Sequence, residues 1–252
     1  VNLDITVPAS PSALTAAAQA AGKVRLTWNR STDPNTTGYD IYRAPSTFNV
    51  ISEAVKINGS PLNVSVFDDL PPQDGSWTYR IVAVNSAGTP SIPTNAAQAI
   101  SDATLPKALS IVYTSLGKVD GATGRLGQGR VNLVLTTSEI LQTVPYLSIV
   151  PQGGLPIPVE LIKTGDTTYS GNFLIDANTA SGVANALFSA RDQVGNRGTD
   201  VAVGATLKID TEGPQRSNIV LTPASPIKND TAQTLQVTFT YSKAPSSSPQ
   251  IK

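Results

Sequence analysis

Short runs in which apolar and polar residues alternate, each ended by Gly, Pro, Asn or Asp, recur along the whole chain. A two-residue period with aromatic and β-branched side chains predicts half-buried antiparallel strands. In the run SWTYRIVAVNSAGTPS, which begins at Ser76, the residues predicted to face inward are Trp77, Tyr79, Ile81 and Ala83. Arg80 is predicted to lie on the exposed face. Helical periodicity is scarce, so the chain is predicted to be all-β.

The composition argues against several classes of function. The 252 residues include no Cys, Met or His, so thiol chemistry, the commonest general base and the commonest transition-metal ligand are missing. The 18 basic and 18 acidic residues balance, and no basic run marks a nucleic-acid partner. No apolar stretch approaches the ~20 residues that cross a bilayer. We therefore expect no nucleic-acid binding and no membrane insertion. We also expect no catalysis, because the sequence shows neither a clustered pair of carboxylates nor a Lys placed for burial in a cleft.

The same composition points to a location. Only 14% of the residues are charged, and the chain holds 19 Gly and 19 Pro. Such a composition is typical of extracellular all-β proteins. We therefore expect the protein to be secreted or to lie on a cell surface.

The first hundred residues contain enough strand-like runs for one β-sandwich, which takes about 100 residues. Turn residues separate the runs, as expected for a sandwich of short strands. The seven predicted strands lie near Leu14–Ala18, Lys23–Asn29, Gly38–Arg43, Ala54–Ile57, Val64–Asp68, Trp77–Asn85 and Ala96–Ser101.

Several motifs in this region occur in an order and at spacings that resemble a fibronectin type III domain. They are VRLTWN, TGYDIYRA, VFDDLPPQDGSWTYRIVAVNSAGTPS and a closing PT, and the resemblance covers about residues 6–105. It implies a seven-stranded sandwich with a core that includes Trp28, Tyr42, Trp77 and Tyr79. It also implies that Leu70 plugs the turn before the sixth strand.

Trp77 departs from this family's pattern, because it stands where the family has its corner tyrosine. The tyrosine hydroxyl of such a corner bonds to the main chain a few residues upstream. An indole N–H donates but cannot accept a hydrogen bond. The corner is therefore either rebuilt around Trp77 or lost.

A second pattern follows the segment SDATLPKA. Its runs are LSIVYTS, GRVNLVLTTSE, YLSIVPQGG, PIPVELIKTG, TYSGNFLID, GVANALFSARDQVGNRGTD and ATLKIDTEGP, and together they resemble bacterial Ig-like repeat domains of large secreted or surface proteins. The resemblance covers about residues 107–214. It implies a second sandwich in which FSARDQVGN forms a late hairpin and IDTEGP is the exit linker.

The second pattern begins again near its own end. Ile219 and Val220 align with Ile111 and Val112, and LQVTFTYSKA aligns with VNLVLTTSEI. The offset of 108 residues is a repeat period of about one module. We therefore predict tandem immunoglobulin-like β-sandwiches, fibronectin type III-like over 1–105 and bacterial Ig-like over 106–214, with a truncated third repeat over 215–252.

One turn carries residues that suit a metal. Asp192, Asn196 and Asp200 place oxygen atoms around the glycine-bearing DQVGNRGTD, and Ca²⁺ binds such side chains. Their spacing does not match a twelve-residue calcium loop, and Asp, Gly and Asn also favour a hairpin turn without metal. The turn is the preferred interpretation, so we expect no cofactor, with Ca²⁺ as the alternative.

Two functions fit this organisation. The first is a non-catalytic structural or adhesive spacer, or an interaction module, of a large bacterial extracellular protein. The alternative is an accessory segment that spaces, or weakly binds carbohydrate for, an extracellular polysaccharide-degrading enzyme. In either case the expected partners are the neighbouring domains of the same chain, and another protein or a glycan at the cell surface.

Overall fold

The computed structural model describes residues 6–224, 234–245 and 248. Seven strands form a first sandwich, here called module 1. A three-stranded sheet of order β1-β2-β5 faces a four-stranded sheet of order β4-β3-β6-β7, and all pairings are antiparallel. All seven predicted strands are confirmed. They are β1 (Ser12–Ala18), β2 (Val24–Asn29), β3 (Thr36–Ala44), β4 (Val55–Lys56), β5 (Val66–Asp69), β6 (Gly75–Asn85) and β7 (Ala97–Ser101).

The core of module 1 lies between these two sheets. The predicted inward face of β6 is confirmed, since Tyr79, Ile81 and Ala83 are fully buried and Trp77 is almost so. Trp28 is also buried and packs edge-on against Tyr39 at a ring-centroid distance of 5.6 Å. The cluster comprises Val24, Leu26, Trp28, Tyr39, Ile41, Trp77, Tyr79, Ile81 and Ala83.

Two residues predicted for this core lie elsewhere. Tyr42 is half-buried, because successive side chains of a strand point to opposite faces and its neighbour Ile41 takes the inward position. Leu70 is 66% exposed, so it does not plug the turn. The buried residue at the end of β5 is Asp69, whose carboxylate accepts hydrogen bonds from Tyr79 Oη and Arg43 Nη1, both at 2.8 Å.

Arg80 is not exposed, contrary to the sequence prediction. Its guanidinium lies half-buried and donates to the main-chain oxygens of Phe48 at 2.7 Å and Thr94 at 2.5 Å. Val82, the next residue on this face of β6, is fully buried. Two connecting segments therefore cover the outer face of β6, and Arg80 fastens both of them.

Nine strands form a second sandwich, module 2. One sheet has the order β12-β13-β9-β8, and the other has the order β11-β10-β14-β15, with β16 also paired to β14. The strands are β8 (Ala108–Ser115), β9 (Gly129–Thr137), β10 (Tyr146–Pro151), β11 (Ile157–Pro158), β12 (Glu160–Lys163), β13 (Thr168–Ile175), β14 (Gly182–Arg191), β15 (Arg197–Gly198) and β16 (Thr206–Ile209).

Module 2 has its own core, separate from that of module 1. Alternate residues of β9 and β14 point into it, as a two-residue period requires. Its buried members include Ile111, Val131, Leu133, Leu135, Leu147, Ile149, Tyr169, Phe173, Phe188, Leu207 and Ile209. Two cores in one chain make the fold a tandem of β-sandwiches, whereas the limits at residues 105 and 214 stay a prediction.

A two-stranded hairpin follows module 2. It consists of β17 (Arg216–Thr222) and β18 (Gln236–Tyr241), paired antiparallel. Every residue of β17 is exposed. Across the part of the chain that the structure describes, no helix has the length and apolar character needed to cross a membrane.

Candidate functional site: the joint between modules 1 and 2

Three segments meet where module 1 ends and module 2 begins. The first is the turn at 19–22 between β1 and β2, and the second is the linker at 102–107 between β7 and β8. The third is the loop at 192–196 between β14 and β15. We call this meeting point the joint.

Asp192 shapes the loop that module 2 brings to the joint. The residue is fully buried, and its Oδ1 atom accepts hydrogen bonds from three successive main-chain N–H groups. They belong to Val194 at 2.9 Å, Gly195 at 2.7 Å and Asn196 at 2.8 Å. Gly195 has a φ of 98°, which favours glycine. This geometry is that of a turn held by an aspartate.

Asn196 joins the two modules through its side-chain amide. Its Oδ1 atom accepts the N–H of Ala21 at 2.6 Å, and its Nδ2 atom donates to the main-chain oxygens of Asp102 at 2.9 Å and Thr104 at 3.2 Å. Nδ2 also lies 2.6 Å from Asp192 Oδ2, so its two hydrogens are shared among three acceptors, and the carboxylate fixes the orientation of the amide. Asn196 is only 3% exposed, so these bonds are shielded from water.

The turn that Asn196 contacts is locally strained. Ala21 has a φ of 61°, and the left-handed region costs a non-glycine residue roughly 1–2 kcal/mol. The next residue, Gly22, donates its N–H to Asp102 O at 3.0 Å, and its own oxygen accepts from Ser101 Oγ at 2.8 Å. These bonds hold the turn against the start of the linker.

The linker is also tied down at both of its ends. Near module 1, Asp74 accepts hydrogen bonds from Thr104 Oγ1 and Ala103 N, both at 2.7 Å. The bond from Thr104, followed by that from Ala103, lowers the pKa of Asp74. Near module 2, a Cβ atom at Gly198 would lie 1.6 Å from Pro106 O, so only glycine admits the linker there. The linker is therefore hydrogen-bonded to module 1 and closely packed against module 2.

Three carboxylates meet beside this network. One oxygen from each of Asp102, Glu139 and Asp192 lies within 4.8 Å of the others. Burial raises the pKa of Glu139, and the charges of Asp192 and Asp102 raise it further. The joint therefore holds concentrated negative charge.

Among the described residues, these three form the one group of three or more acidic side chains that could hold a cation. Oxygen atoms around one Ca²⁺ lie about 2.3–2.6 Å from it, so pairs up to roughly 5 Å apart fit one ion. Asp192 already accepts three main-chain N–H groups on Oδ1 and the Asn196 amide on Oδ2. Its hydrogen bonds explain its burial without a metal.

The structure only partly brings together the residues that the sequence singled out. Asp192 and Asn196 lie in one loop at the joint. Asp200 is exposed, and its main-chain oxygen accepts the N–H of Ala108 at 2.9 Å beside β8, outside the carboxylate group. Asp102 and Glu139 were missed. The repeat could have indicated Asp102, because an aspartate, Asp210, stands at the same position one period of 108 residues later.

Comparisons with known proteins give two distant structural similarities. No protein-family model matches the chain, and no curated protein matches its sequence significantly. A crystal structure of the FN1-FN3 domains of chicken CNTN1 aligns with 82% of this chain and 68% of its own, at 12% identity and a TM-score of 0.38. A crystal structure of a tetra-tandem repeat in the extending region of a large adhesion protein aligns with 92% of this chain and 56% of its own, at 20% identity and a TM-score of 0.36.

Proposed function

We propose that this chain is a non-catalytic segment of an extracellular protein, in which a stiff joint between two sandwiches fixes the spacing and direction of neighbouring domains. The observation that carries the proposal is the buried Asn196 amide of module 2. It bonds to one main-chain group in a turn of module 1 and to two in the linker. Modules joined by a flexible linker need no such contact. A spacer gains from it, because domain motion is the default where the interface is small.

The sequence resemblances support a more specific setting for this segment. Fibronectin type III-like and bacterial Ig-like patterns in one chain support a large bacterial secreted or surface protein. In that setting the partners are the neighbouring domains of the same polypeptide, and a protein or glycan at the cell surface. A catalytic role is opposed by the joint itself, because its side chains are engaged in mutual and main-chain hydrogen bonds.

The stiffness of the joint is measurable by the distance between two spin labels. The chain has no native cysteine, so Ser46→Cys and Ala177→Cys, both at exposed positions on different modules, place the labels cleanly. We expect a narrow distance distribution that broadens when Asn196→Ala is added. Asn132→Ala, at an exposed position on β9, is the matched control and leaves the distribution narrow.

Two results would overturn the proposal. A distribution that is equally broad with and without Asn196 would show that the joint does not hold the modules. Turnover of glycan, ester or peptide substrates by the purified chain would show that the segment is catalytic.

A further inference from the structure

The hairpin β17-β18 repeats the hairpin β8-β9 of module 2 in its strand register. In module 2 Val112 pairs with Val134, and in the later hairpin Val220 pairs with Thr238. The first strand is thus displaced by 108 residues, from 112 to 220, and the second by 104, from 134 to 238. A connection shorter by four residues accounts for the difference.

The two hairpins are also fastened to their linkers in the same way. In module 2, Ser138 N donates to Lys107 O at 2.9 Å while Lys107 N donates to Ser138 Oγ at 3.0 Å. In the later hairpin, Ser242 N donates to Gln215 O at 2.8 Å while Gln215 N donates to Ser242 Oγ at 2.9 Å. The displacements are again 108 and 104 residues. The reciprocal pair of bonds therefore marks the beginning of another module of the module 2 type, after module 2 itself.

One position differs in charge between the two copies. Glu139 of module 2 lies beside Asp102. The corresponding residue after the later hairpin is Lys243, whose Nζ atom lies 2.6 Å from Asp210 Oδ1. Because Asp210 corresponds to Asp102, the same two positions meet in both copies, and only the sign of one charge has changed.

The hairpin presents an apolar face. The corresponding face in module 2 is covered by a second sheet. In module 2, Ile111, Val131, Leu133 and Leu135 are buried beneath the facing sheet. At the corresponding positions Ile219 is 54% exposed, Leu235 is 46% exposed, and Val237 and Phe239 are half-buried. Among the described residues, no second sheet faces the hairpin.

We infer that β17 and β18 are the first two strands of a third sandwich, and that their apolar face takes a sheet like that of β10, β14 and β16. The sheet comes from the C-terminal side of Ala244 in the same polypeptide. Ala244 corresponds to Ile140, from which module 2 continues into β10 within six residues. The inference goes beyond the proposed function, since it concerns what completes the hairpin and stands even if the first joint proves flexible.

The side chains of the hairpin fit a facing sheet of module 2 type. Cores tolerate hydrophobic exchanges that conserve the total volume. Four core positions differ between module 2 and the hairpin. Two of these differences reduce the side-chain volume and two increase it, so the total volume is nearly conserved. From module 2 to the hairpin they are Tyr113 to Leu221, Leu133 to Val237, Val131 to Leu235 and Leu135 to Phe239.

The inference is tested by giving the hairpin a copy of the facing sheet of module 2. Residues 141–214 are appended directly after Ala244, the position that they hold after Ile140 in module 2. We expect hydrogen exchange at 236–241 to slow by at least about a hundredfold relative to the 252-residue protein, because global opening then limits exchange. A control with Leu221→Tyr, Leu235→Val, Val237→Leu and Phe239→Leu restores the module 2 side chains and is expected to show the same slowing.

Each other result overturns the inference. Slow exchange in the control alone would mean that the native hairpin face does not accept this sheet, and fast exchange in both would mean that the two hairpins are not equivalent. If β18 of the monomeric 252-residue protein already exchanges as slowly as β9, the face is covered by something else. Slowing that appears only as concentration rises would instead identify a second copy of the chain as the cover.

Discussion

The indole Nε1 of Trp77 donates a hydrogen bond of 3.1 Å to the main-chain oxygen of Gln73, four residues upstream. A tyrosine corner in the same place uses its hydroxyl for such a bond. Trp77 therefore rebuilds the corner with a different donor, while its rings pack in the core of module 1.

The Trp77→Phe substitution tests this bond. Phenylalanine keeps an aromatic ring in the core but removes the donor and some volume, so we expect a loss of about 1–3 kcal/mol in the free energy of unfolding. Urea denaturation measures it. Gln73→Ala is the matched control, because it retains the main-chain acceptor and is expected to change stability by less than about 0.5 kcal/mol. Equal losses in the two variants would assign the effect to the Gln73 side chain instead.

Arg80→Ala is expected to destabilise module 1 by about 1.5–3 kcal/mol, because hydrogen bonds from a charged group to two main-chain oxygens are lost. Arg25→Ala is the comparison, since Arg25 pairs with Asp68 on the surface, where solvent screening leaves such a pair little effect on stability. Both are measured by thermal unfolding. An Arg80→Ala variant as stable as the parent would mean that the connecting segments hold the face of β6 without Arg80.

Glu139 gives the joint a pH dependence of definite sign. Its pKa in the folded protein is raised above the ordinary 4.5, so the folded state binds the proton more tightly than the unfolded state does. Stability therefore falls as the pH rises through the folded pKa, and the cost is complete above it. Glu139→Gln removes this cost, so we expect the variant to melt higher than the parent at pH 7 and the difference to vanish toward pH 4.

Glu139→Lys extends the same experiment, because Lys243 pairs with Asp210 in the corresponding place. We expect this variant to be at least as stable as Glu139→Gln at pH 7. A lower melting temperature for both variants at pH 7 would show that the Glu139 carboxylate is needed in its charged form.

Chelation addresses the calcium alternative. Because the Asp192 carboxylate is already bound by N–H groups on both oxygens, we expect an excess of EDTA to leave the melting temperature unchanged. A ligand at one hundred times its Kd adds about 2.7 kcal/mol to native stability, so a real site would produce a clear drop. Such a drop, reversed by added Ca²⁺, would make the joint a metal-stabilised contact.

The inward faces of the strands were predictable because they depend on a local, two-residue period. Trp77, Tyr79 and Ile81 follow it directly. Arg80 was not predictable, because its burial depends on Phe48 and Thr94, which reach β6 from other parts of the chain. The period assigns a residue to a face but does not show what covers that face.

At the joint, too, some features were predictable from the sequence and others were not. The turn at Asp192 was predictable, since its hydrogen bonds span only two to four residues. The partners of Asn196 were not, because Ala21 and Asp102 lie 175 and 94 residues away. Asp200 was grouped with them by sequence proximity, but the chain leaves the loop before reaching it.

Asn196 bonds on its module 1 side only to main-chain groups, namely one N–H and two C=O. Every residue provides the C=O, and every residue except proline provides the N–H. The side chains of Ala21, Asp102 and Thr104 contribute nothing to these three bonds. A preceding domain with an unrelated sequence but the same path of turn and linker would offer Asn196 the same three bonds. Exchange of the domain before module 2 would therefore leave this part of the contact in place, because these three bonds read the path of the main chain and not its sequence.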